Sequence, residues 1–585
     1  MSELSYVDAE EIASACKSAD FGQSQTNSRY RPTACYYAND EVVHKVDLPA
    51  ELLANIISYI AEEDKEGFWW KSISRVSRYW HEVAREAACL WTTPYACYGP
   101  NLFRAAMERS RNLPLTVHIV GPHSWCLAAL EAVRPHAHRV QSLFFFPGYR
   151  HFANSPPSGV LDMSCLEFDV PNLTALWINL KYFTEQTPFI ITHSRYPHLC
   201  ELTLERATTP CDPEAYASLT RLTLLDQHDI EGFEETLEDF SAMLRACTNL
   251  QFLCLEESGP DVRDDADQRV RPADPQTTPR LPHLRSLWLR DDEKNTAFFM
   301  RHLAFPPTTC IYLTMMFSGS LPSQELEGFY VSPSVEGVIS QIEVIRVVAN
   351  LDLRIRVEFL PNWEARKTFE WGSVDEPSCI AFEHEGRETG GSLEVEWCIW
   401  AFTQSARMKF VAAPLRYLII AGEFWDATGS LTWKRLFDVF PSIEVIQIED
   451  YERQDRTIYR SLSMIDPRTN QIACPNLKTF VVKGRWSPTL LSDVRECFAT
   501  RKSHVPMLEK LVFKTNTRTI GLPLGPQRFG YLSGLREVAK VIELWTGKLD
   551  WLGGKRDVVR VEKMDQDEWE RVLKFDSPYP DIHGF

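Results

Sequence analysis

The sequence predicts an α/β protein: a short all-α domain followed by an irregular solenoid, with parallel strands on the concave side and helices on the convex side. Two observations carry this prediction. Apolar residues recur at helical spacing between residues 47 and 91, and a six-residue pattern, apolar-x-x-apolar-x-apolar, recurs from Val140 to Phe513. Repeats of roughly 20 to 50 residues are typical of solenoids, because each unit is too small to bury its apolar face without its neighbours.

Residues 1–44 are polar and irregular, so we expect a flexible N-terminal arm. Residues 45–95 are predicted to form the all-α domain. Its first helix begins in the run DLPAELLANIISYI, where Leu52 and Ile56 share a helical face and Pro49 lies in the first turn, where proline is tolerated.

A second helical stretch follows in SISRVSRYWHEVAREAACLW, where Ile73, Val76, Trp80 and Val83 recur at the same period. The charged and aromatic run EEDKEGFWWK separates the two stretches and is predicted to be a hinge. Residues 96–139 are predicted to be a helical connector around the extended run LTVHIV.

Residues 140–515 contain the repeats, and each copy is predicted to be a short strand. Successive copies are 20 to 34 residues apart, with one gap of 73. Helical candidates such as TLEDFSAMLRACT, LTWKRLFDVF and LLSDVRECFAT lie between copies, as parallel strands require. The copies are VQSLFF at 140, LTALWI at 173, LCELTL at 199, LTRLTL at 219, LQFLCL at 250, LRSLWL at 284, CIYLTM at 310, IEVIRV at 342, LRYLII at 415, IEVIQI at 443, LKTFVV at 477 and LEKLVF at 508.

Three stretches depart from the repeats. Residues 258–280 are charged and rich in proline, and we predict a disordered loop there. Residues 350–410 break the rhythm, with PSCIAF at 377 as a candidate degenerate copy. From residue 516 onwards we find no further copy, and 516–585 are predicted to form a C-terminal cap or tail.

Strand side chains alternate between faces, so the fourth and sixth hexamer positions are predicted to face the core and the third, fifth and seventh the concave surface. Aromatic and arginine side chains on such a surface are typical of binding hot spots. The alternative is that loops or the C-terminal tail cover this face and make it a second core. The predicted target-binding residues are Trp177, Trp288, Arg290, Tyr312 and Arg346, on a surface that also includes Phe144, Phe146, Phe252, Tyr417, Glu201 and Glu205.

The formal net charge of −18 argues against nucleic acid as the main partner, since clustered lysine and arginine bind phosphates. A basic or neutral protein surface fits better. The 15 cysteines include no C-x-x-C pair, so we expect neither a disulfide framework nor a zinc site. The N-terminal run has acidic residues where a secretory signal would be apolar, and we expect a soluble cytoplasmic or nuclear protein without membrane contact.

Catalytic motifs are lacking, and we expect no enzymatic activity, metal or cofactor. His136 and His138, with His123 nearby, form the densest histidine group, but no cysteine or carboxylate completes a metal set at ligand spacing. The run TGKLDWLGGKR has Leu549 and Arg556 where a phosphate-binding loop needs glycine and serine or threonine.

Residues 47–91 resemble an F-box. DLPAELLANII matches its opening, and ISRVSRYWHEVA followed by LW matches its closing helix and tryptophan. Ser77 replaces the family's common cysteine, and the hinge is longer and more charged than the usual link. With the repeats and ERSRNLPLTVHI downstream, the chain resembles F-box proteins of the large fungal expansions with a leucine-rich-repeat-like C-terminal region.

The resemblance implies a substrate-recognition subunit of an SCF-type (Skp1–cullin–F-box) ubiquitin ligase. The F-box would bind a Skp1-like adaptor and through it a cullin, and the repeats would bind a protein target. A leucine-rich-repeat scaffold whose helices only cap the repeats is the alternative, and an enzyme within residues 350–410 has no residue constellation to support it. The residues matching the family's adaptor-facing positions are Leu48, Pro49, Leu52, Leu53, Ile56 and Trp80.

Overall fold

The computed structural model describes a mixed α/β protein that divides into two compact units, Met1–Cys247 and Thr248–Phe585. The predicted N-terminal arm lies outside the described residues, as do most of 258–280, 350–410 and 516–585. The described residues are 48–63, 69–147, 162–181, 183, 187, 190–207, 213–228, 236–260, 278–315, 333–349, 355–362, 380–384, 413–422, 429–449, 456–466, 469–483, 488–516, 534–547 and 558–560.

The first unit begins with three helices, α1 (Ala50–Glu63), α2 (Trp69–Ile73) and α3 (Arg78–Glu86). The predicted first helix is confirmed. The second stretch is instead split, because the backbone turns after Ile73 and the Ser77 Oγ accepts a hydrogen bond from the Trp80 N–H at 3.2 Å, which caps α3. Val76, which recurs at the helical period of this stretch, lies in the turn and is 57% exposed.

A parallel sheet follows in the first unit. The run LTVHIV is its first strand and pairs with the first hexamer, so the predicted connector contributes to the sheet. Each later hexamer of this unit pairs in parallel with the one before it. The elements are α4 (Pro100–Arg109), β1 (Leu115–Gly121), α5 (His123–Val133), β2 (Val140–Pro147), β3 (Ala175–Asn179), β4 (Glu201–Glu205), α6 (Pro213–Tyr216), β5 (Arg221–Leu225) and α7 (Leu237–Ala246).

The second unit repeats the alternation of strands and helices. The candidate helices of the sequence are confirmed as α7 of the first unit and as α10 (Ser430–Val439) and α12 (Pro488–Lys502) of the second. Its strands are β6 (Phe252–Glu256), β7 (Ser286–Asp291), β8 (Cys310–Met315), β9 (Val344–Ala349), β10 (Ile355–Leu360), β11 (Ile380–His384), β12 (Tyr417–Gly422), β13 (Val445–Glu449), β14 (Thr479–Lys483), β15 (Leu508–Asn516), β16 (Ala539–Gly547) and β17 (Val558–Arg560). Its helices are α8 (Glu293–His302), α9 (Pro333–Ile339), α10 (Ser430–Val439), α11 (Arg456–Ser463) and α12 (Pro488–Lys502).

The hexamers of the second unit do not form one uninterrupted parallel sheet, which corrects the prediction. The strand order is β6–β7–β8–β11–β10–β9–β12–β13–β14–β15–β16–β17. Neighbours are parallel except around β10, which is antiparallel to both β11 and β9, and at β17. Strand β11 contains the end of the degenerate copy PSCIAF and pairs in parallel with β8. A solenoid as such stays a prediction.

Hexamer copies face one another at equivalent positions, so Glu201 lies opposite Arg221 and Thr479 opposite Lys510. The copy CIYLTM is displaced by two residues, because Ser286 lies opposite Cys310. In β16, Val541 lies opposite Lys510, so AKVIEL at 539 is a further copy beyond the predicted boundary.

The leucine core is confirmed, and its leucines at the fourth and sixth positions are at most 3% exposed. They include Leu202, Leu204, Leu222, Leu224, Leu253 and Leu255.

Helix α4 ends against a buried arginine. The chain leaves the helix through Arg111, whose φ of 53° is uncommon for a residue other than glycine. The guanidinium of Arg139, 6% exposed, donates to the carbonyl oxygens of Met107 at 2.9 Å and of Arg111, and to the His136 Nδ1 at 3.2 Å. These bonds satisfy carbonyl groups that a helix end leaves without a helical partner.

Candidate functional site

Helix α1 divides its apolar residues between two sides. Leu53 and Ile57 are fully buried in the core of the all-α domain. Leu52, Ile56 and Tyr59 are 52%, 39% and 68% exposed. Their spacing of four and then three residues places them one turn apart on the same side of the helix, and we call them the α1 patch.

Helix α3 holds the chain that enters α1. The Tyr79 hydroxyl donates a hydrogen bond to the Leu48 carbonyl oxygen at 2.7 Å, and Tyr79 is itself 39% exposed. Leu48 is half-buried and Pro49 is exposed. The exposed apolar surface of the domain therefore includes the start of α1 as well as the α1 patch.

Tryptophans close the core behind this surface. The Trp91 Nε1 donates to the Ala84 carbonyl oxygen at 2.9 Å, and the rings of Trp69 and Trp70 lie 5.6 and 4.8 Å from the Trp91 ring. The Arg109 guanidinium of α4 lies 4.6 Å from the Trp91 ring centroid, within the range of a cation–π interaction. The aromatic end of the predicted hinge therefore packs against the core.

The residues predicted to face an adaptor do not all lie on the surface. Leu53 is corrected to a core residue, because consecutive helix positions point about 100° apart and Leu52 takes the exposed one. Trp80 is partly buried and packs against the same core. Sequence reasoning missed Tyr59 and Tyr79, although the position of Tyr59 three residues after Ile56 was an available signal.

On the sheet of the first unit, the face opposite the leucine core carries a line of aromatic rings across neighbouring strands. Tyr95 stacks on His118 at 4.3 Å, and His118 stacks on Phe144 at 4.3 Å. The Trp177 ring lies 5.7 Å from that of Phe144 and 5.3 Å from that of Phe146. We call these five residues the aromatic ladder.

The rings of the aromatic ladder differ in exposure. Phe144, Phe146 and Trp177 are partly exposed, whereas His118 is buried. Burial lowers the pKa of His118 to about 3, so its ring is neutral near pH 7.

On strands β6 to β8 of the second unit, the corresponding face carries a smaller aromatic group. The Trp288 ring lies 6.1 Å from Phe252 and 4.7 Å from Tyr312. Arg290 forms an ion pair with Glu256 at 2.5 Å, and its side chain is 30% exposed. The predicted target residues Trp288, Arg290 and Tyr312 therefore lie together and are partly exposed.

From β9 onwards the fifth-position side chains of this face are mostly buried, which corrects the prediction of an exposed concave surface there. Lys483 and Lys510, at other positions of the same face, have side chains that are 33% and 39% exposed. Arg346 pairs with the fully buried Glu358 at 3.3 Å. Val344, Leu360 and Ile419 form an apolar cluster on this face, against which Tyr417 packs. The same face also buries Gln447, Glu449, Val481, Val512 and Glu543. Arg346 therefore lies in a second core, as the alternative interpretation of this face anticipated.

The indole Nε1 atoms of Trp177 and Trp288, which occupy the same hexamer position, are shielded from solvent and have no hydrogen-bond acceptor among the described residues. Glu205, predicted to be exposed, is buried and accepts a hydrogen bond from the Asn179 Nδ2. Glu201 is exposed as predicted.

In the part of the chain that the structure describes, histidine, cysteine and carboxylate side chains do not form a group of three or more that could bind a metal ion. Burial raises the pKa of the Cys126 and Cys474 thiols to about 12 and that of Cys165 to about 11, which keeps them protonated. Among the described helices, none is both long and apolar enough to cross a membrane.

Residues 46–97 match the family model described as F-box-like. The match covers α1 to α3 and the Trp91 segment, and it supports the resemblance to F-box proteins. F-box domains generally bind Skp1 and thereby a cullin. A comparison with curated proteins finds no match.

Proposed function

We propose that this chain is the substrate-recognition subunit of an SCF-type ubiquitin ligase, with its F-box-like domain bound to a Skp1-like adaptor. The observation that carries the proposal is the α1 patch, which exposes Leu52, Ile56 and Tyr59 on a domain that already has a complete apolar core. Large apolar side chains exposed together on one helix are typical of a docking surface.

The scaffold alternative is less favoured. If the helices only capped the repeats, Leu48, Leu52 and Ile56 would pack onto the first strands near Phe144. Leu52 and Ile56 are instead 52% and 39% exposed, and the half-buried Leu48 accepts a hydrogen bond from Tyr79 of the same domain.

A leucine-rich-repeat-like array for the remainder of the chain is part of the proposal. Local geometry recurs in three consecutive copies, because Arg206, Asp226 and Glu257 each follow the strand directly and have φ of 50°, 52° and 43°. The equivalent pairing of hexamer positions is a second support. We further propose a non-enzymatic, intracellular role, in which holding a target near the ubiquitin-charged enzyme raises its effective concentration.

The test is co-purification of the full chain with a Skp1-like adaptor. The double substitution Leu52→Asp with Ile56→Asp places two charges on the α1 patch without entering the core, so we expect at least about a thirtyfold loss of adaptor affinity. Leu431→Asp is the matched control, because Leu431 is 61% exposed on the unrelated helix α10. Adaptor binding unchanged by the double substitution, with both variants folded by circular dichroism, would reject the receptor role.

A further inference from the structure

The first turn of α1 carries the first residue of the α1 patch. The Leu53 N–H donates to the Pro49 carbonyl oxygen at 3.0 Å, and this bond closes the turn that contains Leu52. Ile56 and Tyr59 lie one and two turns further along the helix. The first turn of a helix is weakly restrained, because its N–H groups have no helical partner. The direction of the exposed Leu52 side chain therefore depends on how the chain enters α1.

The carbonyl oxygen just before this turn is bound by another helix. The Leu48 oxygen accepts a hydrogen bond from the Tyr79 hydroxyl at 2.7 Å, a usual length for an O–H···O bond. Among the described residues this oxygen has no other donor. The two residues are 31 positions apart in sequence, so the bond joins the entry of α1 to α3 across the domain.

Helix α3 gives the Tyr79 hydroxyl a fixed origin. The Ser77 Oγ caps this helix by accepting from the Trp80 N–H, and Trp80, next to Tyr79, packs against the core of the all-α domain. Val83 and Ala84, in the next turn, are buried in the same core. The donor therefore belongs to an anchored helix, whereas the acceptor belongs to the segment that moves when the first turn of α1 opens.

We propose that Tyr79 is a positioning residue for adaptor docking, whose hydroxyl keeps the first turn of α1 closed so that Leu52 faces the adaptor together with Ile56 and Tyr59. When the turn opens, Leu52 leaves the α1 patch and the docking surface is incomplete. The apparent dissociation constant of the adaptor rises as the closed fraction falls. The inference rests on the proposed receptor role and deepens it, because it names a residue outside the α1 patch that prepares the docking site.

The size of the effect follows from the energy of one hydrogen bond. A typical net hydrogen bond changes an equilibrium constant about fivefold. Loss of the hydroxyl should therefore raise the opening constant of the first turn about fivefold, and amide exchange at Leu53, whose N–H is protected by that turn, should accelerate by the same factor. The closed fraction cannot fall by more than this factor, so the association rate of the adaptor should fall by about two- to fivefold.

The experiment compares Tyr79→Phe with the wild-type full chain, since this substitution removes the hydroxyl and keeps the ring. Hydrogen exchange at Leu53 is followed in the free chain by mass spectrometry, and binding of a purified Skp1-like adaptor is followed by surface plasmon resonance. Tyr196→Phe is the matched control, because the buried Tyr196 hydroxyl also donates to a carbonyl oxygen, that of Leu166, at 2.7 Å. We expect the control to lose stability in urea unfolding but to keep wild-type exchange at Leu53 and wild-type adaptor kinetics.

The two rate constants separate positioning from the other roles of a hydroxyl. A positioning residue changes the association rate and leaves the dissociation rate within about twofold of wild type, whereas loss of a hydroxyl that contacts the adaptor raises the dissociation rate. Unchanged exchange at Leu53, an unchanged association rate, a change confined to dissociation, or equal slowing in Tyr196→Phe would each overturn the inference. Failure of the wild-type chain to bind the adaptor would reject the receptor role itself, whereas wild-type binding with unaltered kinetics in Tyr79→Phe would reject the positioning role alone.

Discussion

Replacing Arg139 with methionine is expected to destabilise the first unit by about 2 to 4 kcal/mol. The guanidinium donates to the carbonyl oxygens of Met107 and Arg111, and both acceptors lie at the end of α4. A hydrogen bond to a charged group contributes about 1.5 to 3 kcal/mol. The Met107 carbonyl oxygen keeps its second donor, the Ser110 Oγ at 2.9 Å, so the substitution removes the charged bonds without leaving that acceptor unsatisfied. Methionine keeps much of the aliphatic volume and removes the cost of burying a charge, which offsets part of the loss of two such bonds.

The assay is urea unfolding of the full chain, followed by circular dichroism and tryptophan fluorescence. Arg134→Met is the control, because Arg134 is 41% exposed, pairs with Glu131 at 3.2 Å within one helical turn and lies 5.3 Å from the Phe168 ring centroid. We expect the control to lose no more than about 1 kcal/mol. If Arg139→Met loses no more than Arg134→Met at an unchanged denaturant slope, the buried guanidinium does not stabilise the end of α4 and the reasoning is refuted.

Two further predictions concern the same unit. Burial holds the pKa of His118 at about 3 in the folded state, below its ordinary value of 6.5, so the folded chain binds fewer protons than the unfolded chain. The stability from this group is complete above about pH 6.5 and is lost as the pH falls towards 3. The free energy of unfolding should therefore fall by about 2 kcal/mol between pH 7 and pH 5 from His118 alone. His118→Phe, which keeps a stacked ring, should lose less stability over the same pH range when urea unfolding is measured at each pH. An equal loss in the two proteins would contradict the assignment. Leu204→Ala should lower the free energy of unfolding by about 2 to 5 kcal/mol, since Leu204 is 2% exposed in the leucine core. Thr203→Ala, on the opposite face of the same strand, should lower it by less than about 1 kcal/mol. Equal losses of stability would show that the two faces are not buried to different extents.

Sequence periodicity correctly predicted the burial of residues whose side of a strand or helix follows from their immediate neighbours in sequence. Alternation along a strand placed Leu202 and Leu204 in the core, because a slip by one residue would turn every leucine of the hexamers to solvent. The copy CIYLTM was displaced by two residues rather than one, so Tyr312 still shares a face with Trp288. The candidate site was predictable to the same extent, since Leu52 and Ile56 follow from helical period and lie on the surface as expected.

The sequence by itself determined the helical F-box-like domain, the short strands and the apolar face of each, because these depend on periodicity over a few residues. Only the tertiary structure decided where the face of a strand opposite the leucine core is exposed to solvent. Glu201 and Arg346 both occupy concave positions by their hexamers, yet Glu201 is exposed and Arg346 is paired inside a second core. The insertion of β10 between β9 and β11 was likewise not encoded in any local pattern, since strand pairing joins residues distant in sequence and a short apolar run does not specify its partner. Exposure of a strand's second face depends on what other segments of the chain cover it, and no periodicity within the strand records that.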